Sequence, residues 1–166
     1  MYRRISDFIS DWAYESGATV KIFEAIPEDK RSEKLNENMR TLDRLAWHIT
    51  QTIPEMAAKA GLIDEDHLED KPIPDHTAEI VKEYLKQSED LKKAVESKWK
   101  DEELEQKKNM YGNIWEKGKM LSIIIRHQAH HRAQMTTLIR LLGGKVPGVY
   151  GPSKEEWSTL GVPAME

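Results

Sequence analysis

His127 and His131 stand four residues apart in the segment 120–142, where apolar residues recur at helical spacing. At ~100° per residue, Met120, Ile124, His127, His131, Met135, Leu138 and Leu142 share a face about 80° wide, with both histidines mid-stripe and Arg126, Arg132 and Arg140 directed away. A neutral imidazole carries one donor and one acceptor, and leaving either unpaired in an apolar interior costs on the order of 1–3 kcal/mol. A metal ion shared by the two rings removes that cost. Hydrogen bonds to the backbone or between the rings would remove it as well.

Many helices carry histidines at i and i+4 by chance, so a metal site needs a third ligand. His48 is the candidate, at the edge of the apolar face of a second helix and close to Leu45 and Thr52. Three histidines from two facing helices leave an ion at least one open position, the arrangement that catalysis needs, whereas structural sites are closed. His130 sits about 100° from His131, off the stripe, and suits a surface role or an orienting contact outside the ligand ring. Glu55 follows His48 by seven residues on nearly the same helix face; it either orients a ligand imidazole or is a plain surface carboxylate. His67 and His76 fall in loop sequence and read as solvated. Trp47, Trp115 and Trp157 suit buried packing, a pocket or an interface.

Four helical patterns must place these groups. The first, with Ile5, Phe8, Ile9, Trp12, Thr19, Val20, Phe23 and Ile26, predicts a helix over residues 2–26 that stops at Pro27. The second takes Thr41 as N-cap ahead of Leu42, Leu45, Ile49, Thr52 and Met56, and ends at Gly61, with a kink or break expected at Pro54. The third starts from Thr77 or Asp75 as cap and runs to about residue 98, burying Val81, Leu85, Val95 and Trp99. Between them the loop 62–76 carries Pro72 and Pro74 and reads as extended. An acidic and basic stretch then leads through Met110, Tyr111, Gly112 and Trp115 to the histidine helix, which ends at Gly143 and Gly144. The tail has a possible turn at residues 153–157 and is expected to pack across one end of the bundle. The reading is an all-α four-helix bundle, one domain over residues 1–166, without repeats.

With 166 residues, 33% of them charged, and a formal net charge of -4, the chain has the size for a full core and lacks the basic face of an electrostatically driven nucleic-acid binder. The charge-dense run 91–108 reads as a solvated helix face and turn. There is no cysteine, which excludes disulfides, thiolate ligands and a cysteine nucleophile; any thiol chemistry must use an external thiol. Asp7 and Asp11 interrupt any signal-like apolar run, no stretch reaches membrane-spanning length, and the expected location is the cytoplasm. Trp47 lies about 100° from His48, off the core face, so an exposed indole and a two-fold homodimer are expected.

At the same residues the sequence resembles the DinB/YfiT-like family of metal-dependent bundle proteins. The resemblance covers most of the chain and is carried by LDRLAWHI around His48, by IIRHQAHHRAQMTTLIRLLGG with His127 and His131, and by VPGVYGPSKEEW in the tail. It implies an up-down-down-up bundle, a divalent metal such as nickel or zinc on His48, His127 and His131, and frequent homodimers. Relatives of that kind include S-transferases using low-molecular-weight thiols, bacillithiol among them. The expectation is therefore a metal-dependent thiol transferase acting on small molecules, with a metal-dependent amide or ester hydrolase and a non-catalytic metal-binding stress protein as alternatives.

Overall fold

The computed structural model describes residues 1–161 and 163; the remaining tail positions lie outside the described residues. Four helices dominate: α1 (Ile5–Glu24), α2 (Leu42–Lys59), α3 (Thr77–Lys98) and α4 (Lys117–Leu141). α1 and α2 each pack against both α3 and α4, so α1 sits diagonally opposite α2, and α3 opposite α4.

The helix directions follow from the bonds at the ends. Tyr2 N–H donates to Gly118 O at the start of α4, and Lys30 Nζ donates to Leu142 O at its finish, so α1 and α4 run the same way. Asp43 N–H donates to Arg31 O, and the Glu28 carboxylate accepts the Thr77 N–H at 3.2 Å, which places the starts of α2 and α3 together at the far end of α1. The loop after α2 travels back along it, accepting bonds from Gln51 at Leu68 O and from Trp47 at Lys71 O. The bundle is therefore up-down-down-up. Gly118 permits the first of these contacts, since a Cβ there would stand 2.2 Å from Tyr2 O.

Several expectations are corrected. α1 starts at Ile5, not Tyr2, because Asp101 Oδ1 accepts the Ile5 N–H while Tyr2 is held at α4. α2 passes Pro54 without a break, and Thr41 does precede it as N-cap. His76, rather than Thr77 or Asp75, is the residue at the N-cap of α3, and Glu28 supplies the acceptor from another segment. Leu85 is exposed: the buried seam of α3 runs through Ile80, Tyr84, Gln87, Leu91 and Val95, and its polar members disguise the period. The stretch before α4 forms a hairpin, β1 (Lys107–Met110) against β2 (Asn113–Glu116), which the sequence reading missed. Its two-residue turn puts Tyr111 and Gly112 at positive φ, and tyrosine tolerates this only at a cost of about 1–2 kcal/mol. The Tyr111 hydroxyl donates to Glu55 at 3.0 Å and Lys59 Nζ lies 5.3 Å from its ring, which fastens the turn to α2.

Arg132 does not point away. It is buried at 3% exposure, with its guanidinium donating to Glu15 O at 2.7 Å, to Thr19 Oγ1 and to the Glu15 carboxylate. The buried arc of α4 extends past the histidine stripe through Gln128 and Arg132 toward α1, wider than a two-helix seam requires because α4 has neighbours on two sides. Tyr150 of the tail closes this pair, accepting from Arg132 at 2.6 Å and donating to Glu15. Trp47 is 3% exposed and donates its indole N–H to Lys71 O; the returning loop covers it, and with that the sequence-based reason for a dimer disappears.

Candidate metal centre

α2 and α4 lie side by side, and this contact brings His48 against the pair on α4. Ring centroids stand 5.0 Å apart for His48 and His127, 4.8 Å for His48 and His131, and 4.4 Å for His127 and His131. One ring nitrogen from each histidine lies within 4.8 Å of the other two, a group able to hold a metal ion. His131 is buried, and the other two are half-buried, so the cluster sits at the bundle surface with one side open.

Hydrogen bonds decide which nitrogens are available. His131 Nδ1 stands 2.8 Å from Gln134 Oε1, and the other end of the amide, Nε2, stands 3.2 Å from His130 Nε2. With the amide in this orientation, His131 carries its proton on Nδ1. The Thr52 hydroxyl hydrogen goes to Ile49 O at 2.9 Å, leaving Oγ1 to accept from His127 Nδ1 across a long 3.5 Å contact. In the tautomer with both Nδ1 positions protonated, the two Nε2 lone pairs face each other 3.1 Å apart, an approach that a cation between them relieves; with one Nε2 protonated the same contact is a hydrogen bond between the rings. Two nitrogens each ~2.1 Å from one ion stand about 3.0–3.4 Å apart for bond angles of roughly 90–110°, so the His127 and His131 pair has the spacing of two ligands on one divalent ion.

The electrostatics point the same way. Burial, followed by the neighbouring His127 and then Arg40, lowers the His48 pKa to about 3. Burial and then His131 lower His127 to about 4, and burial lowers His131, opposed by its bond to Gln134. All three rings are neutral near pH 7, the form that ligates.

The other candidates land elsewhere. His130 is exposed, with its ring 4.9 Å from that of His131 and its Nε2 3.2 Å from Gln134 Nε2, outside the three-histidine group. Glu55 accepts a hydrogen bond from Tyr111 of the hairpin, a phenol rather than a ligand imidazole. His67 is exposed beside Gln87, and His76 is exposed beside Glu28. Trp115 and Trp157 are half-buried. Gln134 is the residue that sequence reasoning passed over; its signal was its place three residues after His131, within hydrogen-bonding reach on one helix face. Beside His131 and Gln134 opens a cavity of about 530 Å³ that also reaches Arg40, Leu45 and Leu138.

No helix among the described residues is long and apolar enough to cross a membrane. The sequence matches the DinB family over residues 1–164. It is 33% identical over 164 residues to the uncharacterized protein YrdA of Bacillus subtilis (strain 168), covering 99% of this chain and 98% of that one. Among solved structures, a DinB-like protein from Bacillus cereus ATCC 10987 superposes with a TM-score of 0.83 at 35% identity, covering 90% of this chain and all of the other. The DinB-like protein YjoA of Bacillus subtilis superposes at 0.69 with 16% identity, over 89% of this chain and 99% of its own, and shares the fold.

Proposed function

The chain belongs to the DinB family, and from that premise we propose that His48, His127 and His131 hold one divalent ion, nickel or zinc, at which a low-molecular-weight thiol is transferred to a small electrophile. The observation that carries the reading is the pair of His127 and His131 Nε2 atoms turned toward each other at 3.1 Å, with His48 completing the group. An ion so bound supplies Lewis acidity that brings a thiol to its thiolate well below the ordinary pKa of about 8.5.

The chain's own residues do the rest. Gln134 and Thr52 hold the two rings of α4 in the tautomer that presents Nε2, and Gln134 ties His131 to the cavity wall. In the transfer, the new S–C bond forms as the leaving group departs, and the thiol proton passes to solvent. With no cysteine in the chain, no internal thiol competes for the ion or the electrophile.

Amide or ester hydrolysis is the weaker reading, because the carboxylate expected to act as base, Glu55, is engaged by Tyr111. A non-catalytic metal-binding role is separated from both by turnover. A homodimer is carried by family likeness alone, and light scattering at micromolar concentration reads it.

The test is metal analysis of untagged protein followed by thiol-consumption assays with generic electrophiles. Co-purifying nickel or zinc, with thiol consumption lost in His48→Ala, supports the proposal. Bound metal without consumption of any thiol overturns the transferase part.

A further inference from the structure

The cavity beside the histidine cluster has a charge that the fold does not use. Arg40 lines it, is exposed, and has no carboxylate partner among the described residues. Its neighbours are accounted for differently. Glu37 pairs with Lys34 at 2.7 Å, and Arg44 donates to Gln51 at 3.0 Å. Arg40 and His131 line the same cavity, so the charge of Arg40 faces anything bound beside the cluster.

The cavity walls fit this charge to a small molecule. Met39, Leu45 and Leu138 give one apolar side, and His131 and Gln134 give a polar one next to the metal-binding nitrogens. A volume of about 530 Å³ lies in the range that encloses a small organic ligand. A guanidinium is a planar fork matched to a carboxylate and is weakly hydrated, so it gives up water for such a partner more readily than an ammonium does.

We propose that Arg40 is a specificity-determining residue, and that the cavity takes a small substrate whose carboxylate pairs with Arg40 while its reacting group reaches the cluster of His48, His127 and His131. The inference rests on the metal-dependent reading above and deepens it by naming the substrate class. Arg40 acts by direct contact with that carboxylate and takes no part in holding the ion.

The experiment uses the full chain loaded with zinc, with metal content measured for every variant. Calorimetry compares mercaptosuccinate with its neutral diamide. The expected result is an affinity about tenfold or more in favour of the carboxylate, as a charge-assisted pair gives over a neutral contact. Arg40→Gln should abolish that preference and leave both the diamide affinity and the zinc content unchanged, while Arg44→Gln keeps the preference. If zinc binds but neither thiol does, the thiol reading fails. Succinate against succinamide on the same protein then decides the anion site separately. Equal binding of charged and neutral members by the unmodified protein, or a preference that survives Arg40→Gln, overturns the proposal.

Discussion

Gln134 Oε1 lies 2.8 Å from His131 Nδ1, a contact that occupies one nitrogen of the imidazole and leaves Nε2 for a ligand. Replacing Gln134 by alanine keeps the helix and removes the acceptor, so the ring becomes free to rotate or to change tautomer. Metal affinity is expected to fall about 10- to 100-fold, the usual cost of losing an orienting partner. Competition with a chromogenic chelator measures it, and an unchanged affinity would show that packing alone holds the ring.

His131→Ala and His130→Ala separate a ligand from its neighbour. The first removes a nitrogen of the cluster, while the second removes an exposed ring that stands beside His131 and Gln134 but is not one of the three grouped histidines. Metal content should be lost in the first variant and largely retained in the second. Equal losses would mean that His130 is itself a ligand.

Chelation should leave the bundle standing. The core that surrounds Phe8, Trp12, Ile49, Tyr84 and Ile124 is packed without help from the histidines, so helicity by circular dichroism is expected to persist after metal removal while turnover stops. Loss of helicity on chelation would identify a structural ion instead.

Glu15 and Arg132 form a buried ion pair between α1 and α4. Arg132→Met leaves the Glu15 carboxylate buried without its partner, and about 3–5 kcal/mol of stability should be lost, a fall of roughly 6–20 °C in Tm for a domain of this size. The double change Glu15→Leu with Arg132→Met should recover much of it, because the uncompensated charge is then gone. Thermal unfolding followed at the helical signal compares the three proteins.

Acid should loosen the tail before the bundle. Arg140 donates two bonds to Glu155, each 2.9 Å, and chiefly through them the Glu155 pKa falls from 4.5 to about 2. Because the folded value is depressed, the clasp's contribution is present above pH 4.5 and is lost as the pH falls from there toward 2. The indole resonance of Trp157, which lies in the same tail turn, should report this window. In Arg140→Gln the midpoint should move up toward the ordinary carboxylate range; an unmoved midpoint would assign the transition to another group.

Sequence by itself determined the four helices and the three histidines. Helical periodicity is a local property, readable at 3–4 residue spacing, and the i, i+4 placement of His127 and His131 fixes their common face before anything else folds. Tertiary structure decided the rest, because burial depends on what covers a residue as well as on its own helix face. Trp47 was placed at the surface by its helix angle and was buried by the loop 62–76 returning along α2. Arg132 was directed away from the histidine stripe by its helix angle and was buried because Glu15 and Tyr150, distant in the chain, converge on it. The approach of His48 to the α4 pair depends on the α2–α4 contact, and the hairpin depends on Tyr111 adopting a conformation that tyrosine seldom takes. The charge of Arg40 acquires a place only once the segment before α2 meets the side of α4 that carries His131 and Gln134.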